Sequence, residues 1–305
     1  MRAMHGDTYS VRAEQAVPRL RATLTEHGGA AGAPLLALLD GWDYRMDPDS
    51  RGALVFETFF ERWHERVLAA RFRDDVRPFL VALGAGSGLA LRLLTEGRPA
   101  DWFAAAAASP PAASATADTA SPPISDAVDP ALSPVAGAAD PALSYEAPDK
   151  AGAPDLPSEV AAAAADALRS LELRLGPDPA AWRWGALHTV SFRHPLAGRP
   201  GTEGLFSTGP APVGGTGHVL NATGFAHAAP FDVLSGPEYR LVADLGDPDA
   251  TLAVLTTGQS GQPGSPHYTD HLGPWLAGEY HPLPLTPAAV EAAKVGETRL
   301  SPTTR

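Results

Sequence analysis

The sequence contains no cysteine, so disulfides and thiolate-held metals are excluded while the compartment stays open. No apolar run reaches the length that a membrane span needs, and no membrane partner is expected. The opening stretch, MRAMHGDTYSVRAEQ, lacks an apolar core, so the sequence as it stands is expected to carry no secretion signal; its localisation stays unknown. Positive charge is also scarce. With 23 Lys and Arg against 35 Asp and Glu, the net charge is -12, and no basic stripe exists to displace counterions from phosphates. A nucleic-acid partner is therefore not expected.

What is present suffices for a core: 305 residues, 44% hydrophobic and 19% charged. Residues 104–157 depart from everything around them, being almost entirely Ala, Pro, Ser, Asp and Thr, with DPALS at 129–133 and again at 140–144. Seven acidic residues against Lys150 alone give this stretch half of the whole chain's negative excess. Proline removes backbone donors and these side chains offer little apolar area, so a disordered insert is expected. It divides the chain into a helical region, 1–103, and a helix-plus-sheet region, 158–305, of one domain.

In the first region, Leu35 to Leu39 read as a short helix and Ser50 opens a long one. Leu54, Phe56, Phe59, Phe60, Trp63 and Val67 form its apolar stripe, with Glu57, Glu61, Arg62, Glu65 and Arg66 largely on other faces. A helix over 158–175 follows, with Ser158 as N-cap and Gly176-Pro177 as its stop. After Trp182 the period changes to two, and strands are expected over 188–192, 217–225, 239–244 and 252–257. Helices return over 267–276 and 286–294, the latter capped by Thr286 before Pro287. Helices first, then an antiparallel sheet, then two closing helices is an α+β order.

Few motifs carry chemistry. Gly258-Gln259-Ser260-Gly261 approaches a nucleophile elbow, but Gln262 stands where the final glycine belongs and a loop follows, so Ser260 reads as a turn residue. His267, Asp270 and His271 have the i, i+3, i+4 spacing of metal ligands without an intervening general base, and polar residues of a helix start explain them better. Asp43, Asp47 and Asp49 lack the glycine and terminal glutamate of a calcium loop; pairing with Arg45 and capping by Asp49 or Ser50 account for them. Gly214 to Gly217 precede a strand instead of a helix, so the run is a turn and not a phosphate cradle. His188, His194, His218 and His227 read as core or surface histidines. No catalytic, cofactor-binding or metal-binding residue is assigned.

Several runs occur together and in order: MHGDTYSVRAEQAVPRL, LLALLDGWDYRMDPDSRGALVFETFFERW, WRWGALHTVSFRHPL, GPAPVGGTGHVLNATGF and SGPEYRLVADLGDPD. The tail over 241–286, with TTGQSGQPGSPHYTDHLGPWLAGEYHP, completes the set. The chain resembles the C-terminal part of the β chain of the penicillin acylase (penicillin amidase) family of N-terminal nucleophile hydrolases, over 1–103 and 158–286. That resemblance implies an incomplete αββα sandwich and hydrolysis of an acyl amide, such as a β-lactam side chain or an acyl-homoserine lactone. In that family the nucleophile is a β-chain N-terminal serine whose own amine is the base, assisted by an oxyanion asparagine. Both, with the family's calcium ligands, fall upstream of the part that Met1 matches, and Asn221 does not take the oxyanion role. The chain is accordingly expected to bind no cofactor, to be inactive alone, and to have as partners the α chain and the rest of the β chain. The alternative is a non-catalytic, partner-binding remnant. Either way, strands near Val219, Leu241 and Val254 are expected to leave an uncovered apolar face.

Overall fold

The longer helices α2, α4 and α7 start on side chains that replace the missing backbone acceptors. After a single turn, α1 (Arg2–His5), Ser10 accepts the Ala13 amide at 3.1 Å and opens α2 (Val11–His27). α3 (Gly29–Leu38) follows, longer at its start than the apolar run 35–39 suggests. Ser50 then takes the Ala53 amide at 3.1 Å, as expected, and opens α4 (Arg51–Ala69). Two shorter helices, α5 (Arg77–Ala82) and α6 (Ser87–Glu96), complete the first region. The computed structural model describes residues 1–82, 84–103, 155–198, 201–226 and 229–302. The insert expected over 104–157 lies outside these residues, apart from 155–157.

Those three residues begin α7 (Leu156–Leu175), and they change its cap. Asp155 Oδ1 accepts the Ser158 amide at 2.9 Å while Ser158 Oγ accepts the Asp155 amide at 3.2 Å. Ser158 is thus the third helical residue of a capping box, and the cap sits one turn earlier than composition suggested. Asp155→Ala is expected to lower stability by about 1 kcal/mol, and Ser158→Ala by less, because only the aspartate accepts a helix amide. Equal losses in urea unfolding would contradict this order.

α4 is buried on every side. Its expected stripe of Leu54, Phe56, Phe59, Phe60, Trp63 and Val67 is fully enclosed, and so are Glu57, Glu61, Arg62 and Arg66. These charges lie on other faces, as their spacing requires, but α2 and α7 cover those faces too. Each cation meets a partner. Arg12 of α2 reaches Glu57 at 2.6 Å, Arg66 holds Glu159 at 2.8 Å and Asp166 at 2.6 Å on α7, and Arg62 donates to Glu65 and Ser170.

Among the described residues the sheet region contains seven strands, three more than the alternation showed. β1 (Thr189–Phe192) pairs antiparallel with β2 (Thr208–Pro212), after the short helix α8 (Glu203–Phe206). β3 (Gly224–Ala226) pairs antiparallel with β4 (Ala229–Ser235), and β1 joins β4 in parallel. The order among the described residues is β2-β1-β4-β3. Residues 217–223, expected as strand, form a turn, because Gly215 is held at φ +93 and the chain folds back on itself. A second sheet, β5-β6-β7, is antiparallel throughout: β5 (Tyr239–Val242), β6 (Leu252–Leu255) and β7 (His281–Pro282).

Two helices close the chain, α9 (Leu272–Ala277) and α10 (Pro287–Ala293). The first begins five residues later than 267, since the Ser265 hydroxyl accepts the His267 amide and ties that stretch into turns. Thr286 caps the second, as expected, through the Ala289 amide. The α+β class holds: helices, then sheet, then closing helices. Trp275 of α9 lies on Val254 and covers it, whereas Tyr239 and Leu241 of β5 stay exposed. The expected apolar face is therefore open at β5 and closed at β6.

Candidate functional site

Four buried polar residues converge from the entry to β1, the turn over 217–223 and β5. Ahead of β1, His188 is fully buried and stacks on Trp184 with ring centroids 4.4 Å apart. Its Nδ1 lies 2.8 Å from the Phe231 carbonyl of β4, and its Nε2 lies 3.1 Å from the Thr223 hydroxyl. A carbonyl only accepts, so Nδ1 carries the proton of a neutral ring; Nε2 shares the single Thr223 hydroxyl proton with the Gly214 carbonyl, 2.8 Å from the same oxygen. Burial favours that neutral form, pushing the imidazole down to about 4 against the pull of the Phe231 carbonyl.

Asn221 links this histidine layer to a buried cation. Its Nδ2 donates to the Gly214 carbonyl at 3.2 Å, and its backbone amide donates to the Asp7 carbonyl at 2.9 Å. Its Oδ1 accepts from Arg240 Nη2 at 2.9 Å. Arg240 of β5 is buried with no carboxylate partner among the described residues. It donates Nη1 to the Trp275 carbonyl at 2.7 Å and lies over the Trp275 ring at 4.6 Å. Desolvation lowers its pKa. The glycine turn is packed against the same group: a Cβ on Gly215 would sit 2.0 Å from the Asn221 carbonyl oxygen. The cluster is sealed from solvent, so it fixes the junction of sheets and helices; it offers no face to a substrate. Sequence reading placed His188 in the core or at the surface and did not identify Arg240 or Thr223, since neither belongs to a recognisable spacing.

The residues singled out from sequence fall elsewhere. Ser260 donates its amide to the His267 carbonyl at 3.0 Å, and its hydroxyl accepts the Gln262 amide at 3.1 Å. That is the geometry of a turn serine. His267 Nδ1 and Asp270 Oδ2 are paired at 2.7 Å in the exposed turn, but His271 turns away and accepts the Leu255 amide on Nδ1 at 3.2 Å. A neutral His271 then carries its proton on Nε2, which leaves no lone pair for a metal. Among the described residues no three His, Asp or Glu side chains converge as a metal site would require. The Asp43, Asp47 and Asp49 trio also separates: Arg45 pairs with Asp7 at 3.2 Å and Asp43 at 4.0 Å, while Asp47 accepts from the Thr8 hydroxyl at 2.6 Å. Ser50, not Asp49, caps α4. His194 is half-buried, His218 is exposed, and His227 lies outside the described residues.

Comparison with known proteins finds a match to the family model described as penicillin amidase over residues 1–292. The chain is similar to the acyl-homoserine lactone acylase QuiP of Pseudomonas aeruginosa, 33% identical over 159 residues, covering 48% of this chain and 19% of that protein. It is also similar to the Penicillin acylase 2 proenzyme of Pseudomonas sp. strain SE83, 37% identical over 93 residues, covering 30% of this chain and 12% of that one. A thermostable penicillin G acylase from Alcaligenes faecalis is structurally similar over 98% of this chain and 48% of its own, with a TM-score of 0.49 and 17% identity. The aligned portion is thus less than a fifth of the length of either curated relative.

Proposed function

Because this chain belongs to the penicillin amidase family, we propose that it forms part of an acyl-amide hydrolase whose attacking hydroxyl comes from polypeptide other than the residues described. The family match over residues 1–292 carries this reading. The reaction is the addition of water across an acyl amide, giving a carboxylic acid and an amine. N-acyl-homoserine lactones are the first substrates to try, since relatives named for that activity align over nearly half the chain.

Six of the described serines are already engaged in the fold, which is consistent with a nucleophile on other polypeptide. Ser10 and Ser50 cap helices, Ser158 completes a capping box, Ser170 accepts from Arg62, and Ser260 and Ser265 accept turn amides. Each hydroxyl is occupied as an acceptor, and none meets an imidazole or an amine that could take its proton. The exposed Tyr239 and Leu241 on the edge strand β5 suit a seam with further acylase polypeptide.

The test is release of free amine from an N-acyl-homoserine lactone and from a phenylacetyl amide. The purified 305-residue chain is expected to give no turnover, and turnover is expected once it is combined with the complementary portion of a family member. Hydrolysis by the isolated chain that disappears with Ser260→Ala would instead make it a free-standing serine hydrolase.

A further inference from the structure

A second pair of histidines sits where the closing helix meets the small sheet. His271, the residue before α9, is bonded to β6 in two ways. Its amide donates to the Thr257 carbonyl at 2.8 Å, and its Nδ1 accepts the Leu255 amide at 3.2 Å. Its carbonyl accepts the Trp275 amide at 2.8 Å, so the same residue fastens the first turn of α9. Across from it stands His281 of β7, with ring centroids 4.4 Å apart and ring planes inclined at 45°. His281 is opposite Ala253 in the ladder, and its Nε2 is buried without a hydrogen-bond partner among the described residues.

Both rings fit this geometry when neutral, and neither fits a second proton. On His271 the extra proton must go to Nδ1, the atom that accepts from Leu255, so the bond becomes two opposed N–H groups. On His281 a proton at Nε2 would be a buried donor without an acceptor, facing a like charge at close range. We propose that His271 and His281 form an acid-released clasp, closed while both are neutral, that fastens α9 and β7 onto β6.

The surrounding charges agree in sign. From β7 only His281 faces His271; β6 brings the uncharged Leu255 amide; Arg240 of β5 is engaged by Trp275 and Asn221. In its own turn Asp270 would favour a cation, but its Oδ2 is already bound to His267, a further positive group in acid. Burial, then His281, lower the His271 pKa, with His267 adding to them and Asp270 opposing. A lowered folded value means that the clasp is at full strength above the ordinary imidazole range, near 6.5. It weakens as pH falls from there through the lowered value. Opening would free Trp275 from Val254 and Arg240, exposing apolar surface on β6 in acid. The clasp stands independently of the acylase reading.

Hydrogen exchange of the full chain tests it, with intrinsic rates corrected, in peptides covering residues 252–257 and 272–282. Between about pH 7 and pH 5, protection of these segments is expected to fall by up to about tenfold per pH unit, the slope for uptake of one proton. His271→Asn places a non-titrating oxygen where Nδ1 accepts, and should keep the same protection at both pH values. His281→Phe keeps a ring against His271 but removes the like charge that opposes its protonation in the closed state, so the midpoint of opening should move to lower pH. Protection that does not change with acid, or acid loss that persists unaltered in His271→Asn, overturns the proposal. If His271→Asn is unprotected at both pH values, an unmoved midpoint in His281→Phe overturns it as well.

Discussion

Replacing Glu57 with alanine is expected to destabilise the chain by about 3–5 kcal/mol, the range for breaking a buried ion pair from one side. Glu57 is fully buried at the middle of α4, and both of its oxygens accept from Arg12 Nη2 at 2.6 Å. The guanidinium lies over the Phe60 ring at 4.3 Å and near Phe56 at 5.9 Å, so it has little water to fall back on. Its Nε and Nη1 already lack partners among the described residues. Removing the carboxylate therefore leaves a desolvated cation in an apolar layer, and the loss is that of the stranded charge more than of the pair. Two measurements separate these. Glu57→Ala should lower the urea midpoint sharply at constant slope. Arg12→Met combined with Glu57→Leu, which removes both charges and keeps volume, should recover most of the deficit. A single-variant loss below about 1 kcal/mol would show that the guanidinium finds water, and that α4 is less enclosed than its burial indicates.

The same helix shows how far sequence could be read. Its length, its Ser50 cap and its apolar stripe follow from local rules: a hydroxyl ahead of a periodic run, and residues spaced at three and four. The burial of Glu57, Arg62 and Arg66 does not, because it depends on partners 45 to 108 residues away along the chain. An amphipathic pattern identifies the face that must be covered and cannot show that the opposite face is covered too. The cap of α7 was lost to a similar limit. Asp155 lies within a stretch whose composition reads as disordered, yet it opens the helix.

In the sheet region, two-residue alternation found β1, β5 and β6. It did not find β2, β4 or β7, where proline interrupts the period. The buried polar cluster was the least legible part. His188, Asn221, Thr223 and Arg240 are joined by side-chain bonds that cross 19 to 35 residues of chain, and no spacing of residue types announces such a network. By contrast, Ser260 and the His267–Asp270 pair had spacings that invited chemistry, and both turned out to be held in turns.

That cluster yields the second large effect, which appears in the acid limb of the stability profile. His188 is fully buried, and its folded value of about 4 lies well below the ordinary imidazole value of 6.5. The unfolded chain therefore binds this proton first. Stability is fully present above about 6.5 and is lost as pH falls toward 4, where the folded ring finally protonates. At about 1.4 kcal/mol per pH unit over that interval, the accumulated loss is about 3 kcal/mol. The physical cause is local: a second proton would charge a ring that Trp184 and Phe231 keep away from water, and desolvation disfavours that charge. Unfolding free energies of the parent and of His188→Gln, measured in urea between about pH 4 and pH 7, isolate the effect. The glutamine variant starts lower at neutral pH, because its amide replaces the stacked ring poorly, but its profile should be flatter by one proton through this window. His271 contributes to both profiles and cancels in their difference. Parallel profiles would mean that His188 takes up its proton without penalty, which a ring sealed between Trp184 and the Phe231 carbonyl should not be able to do.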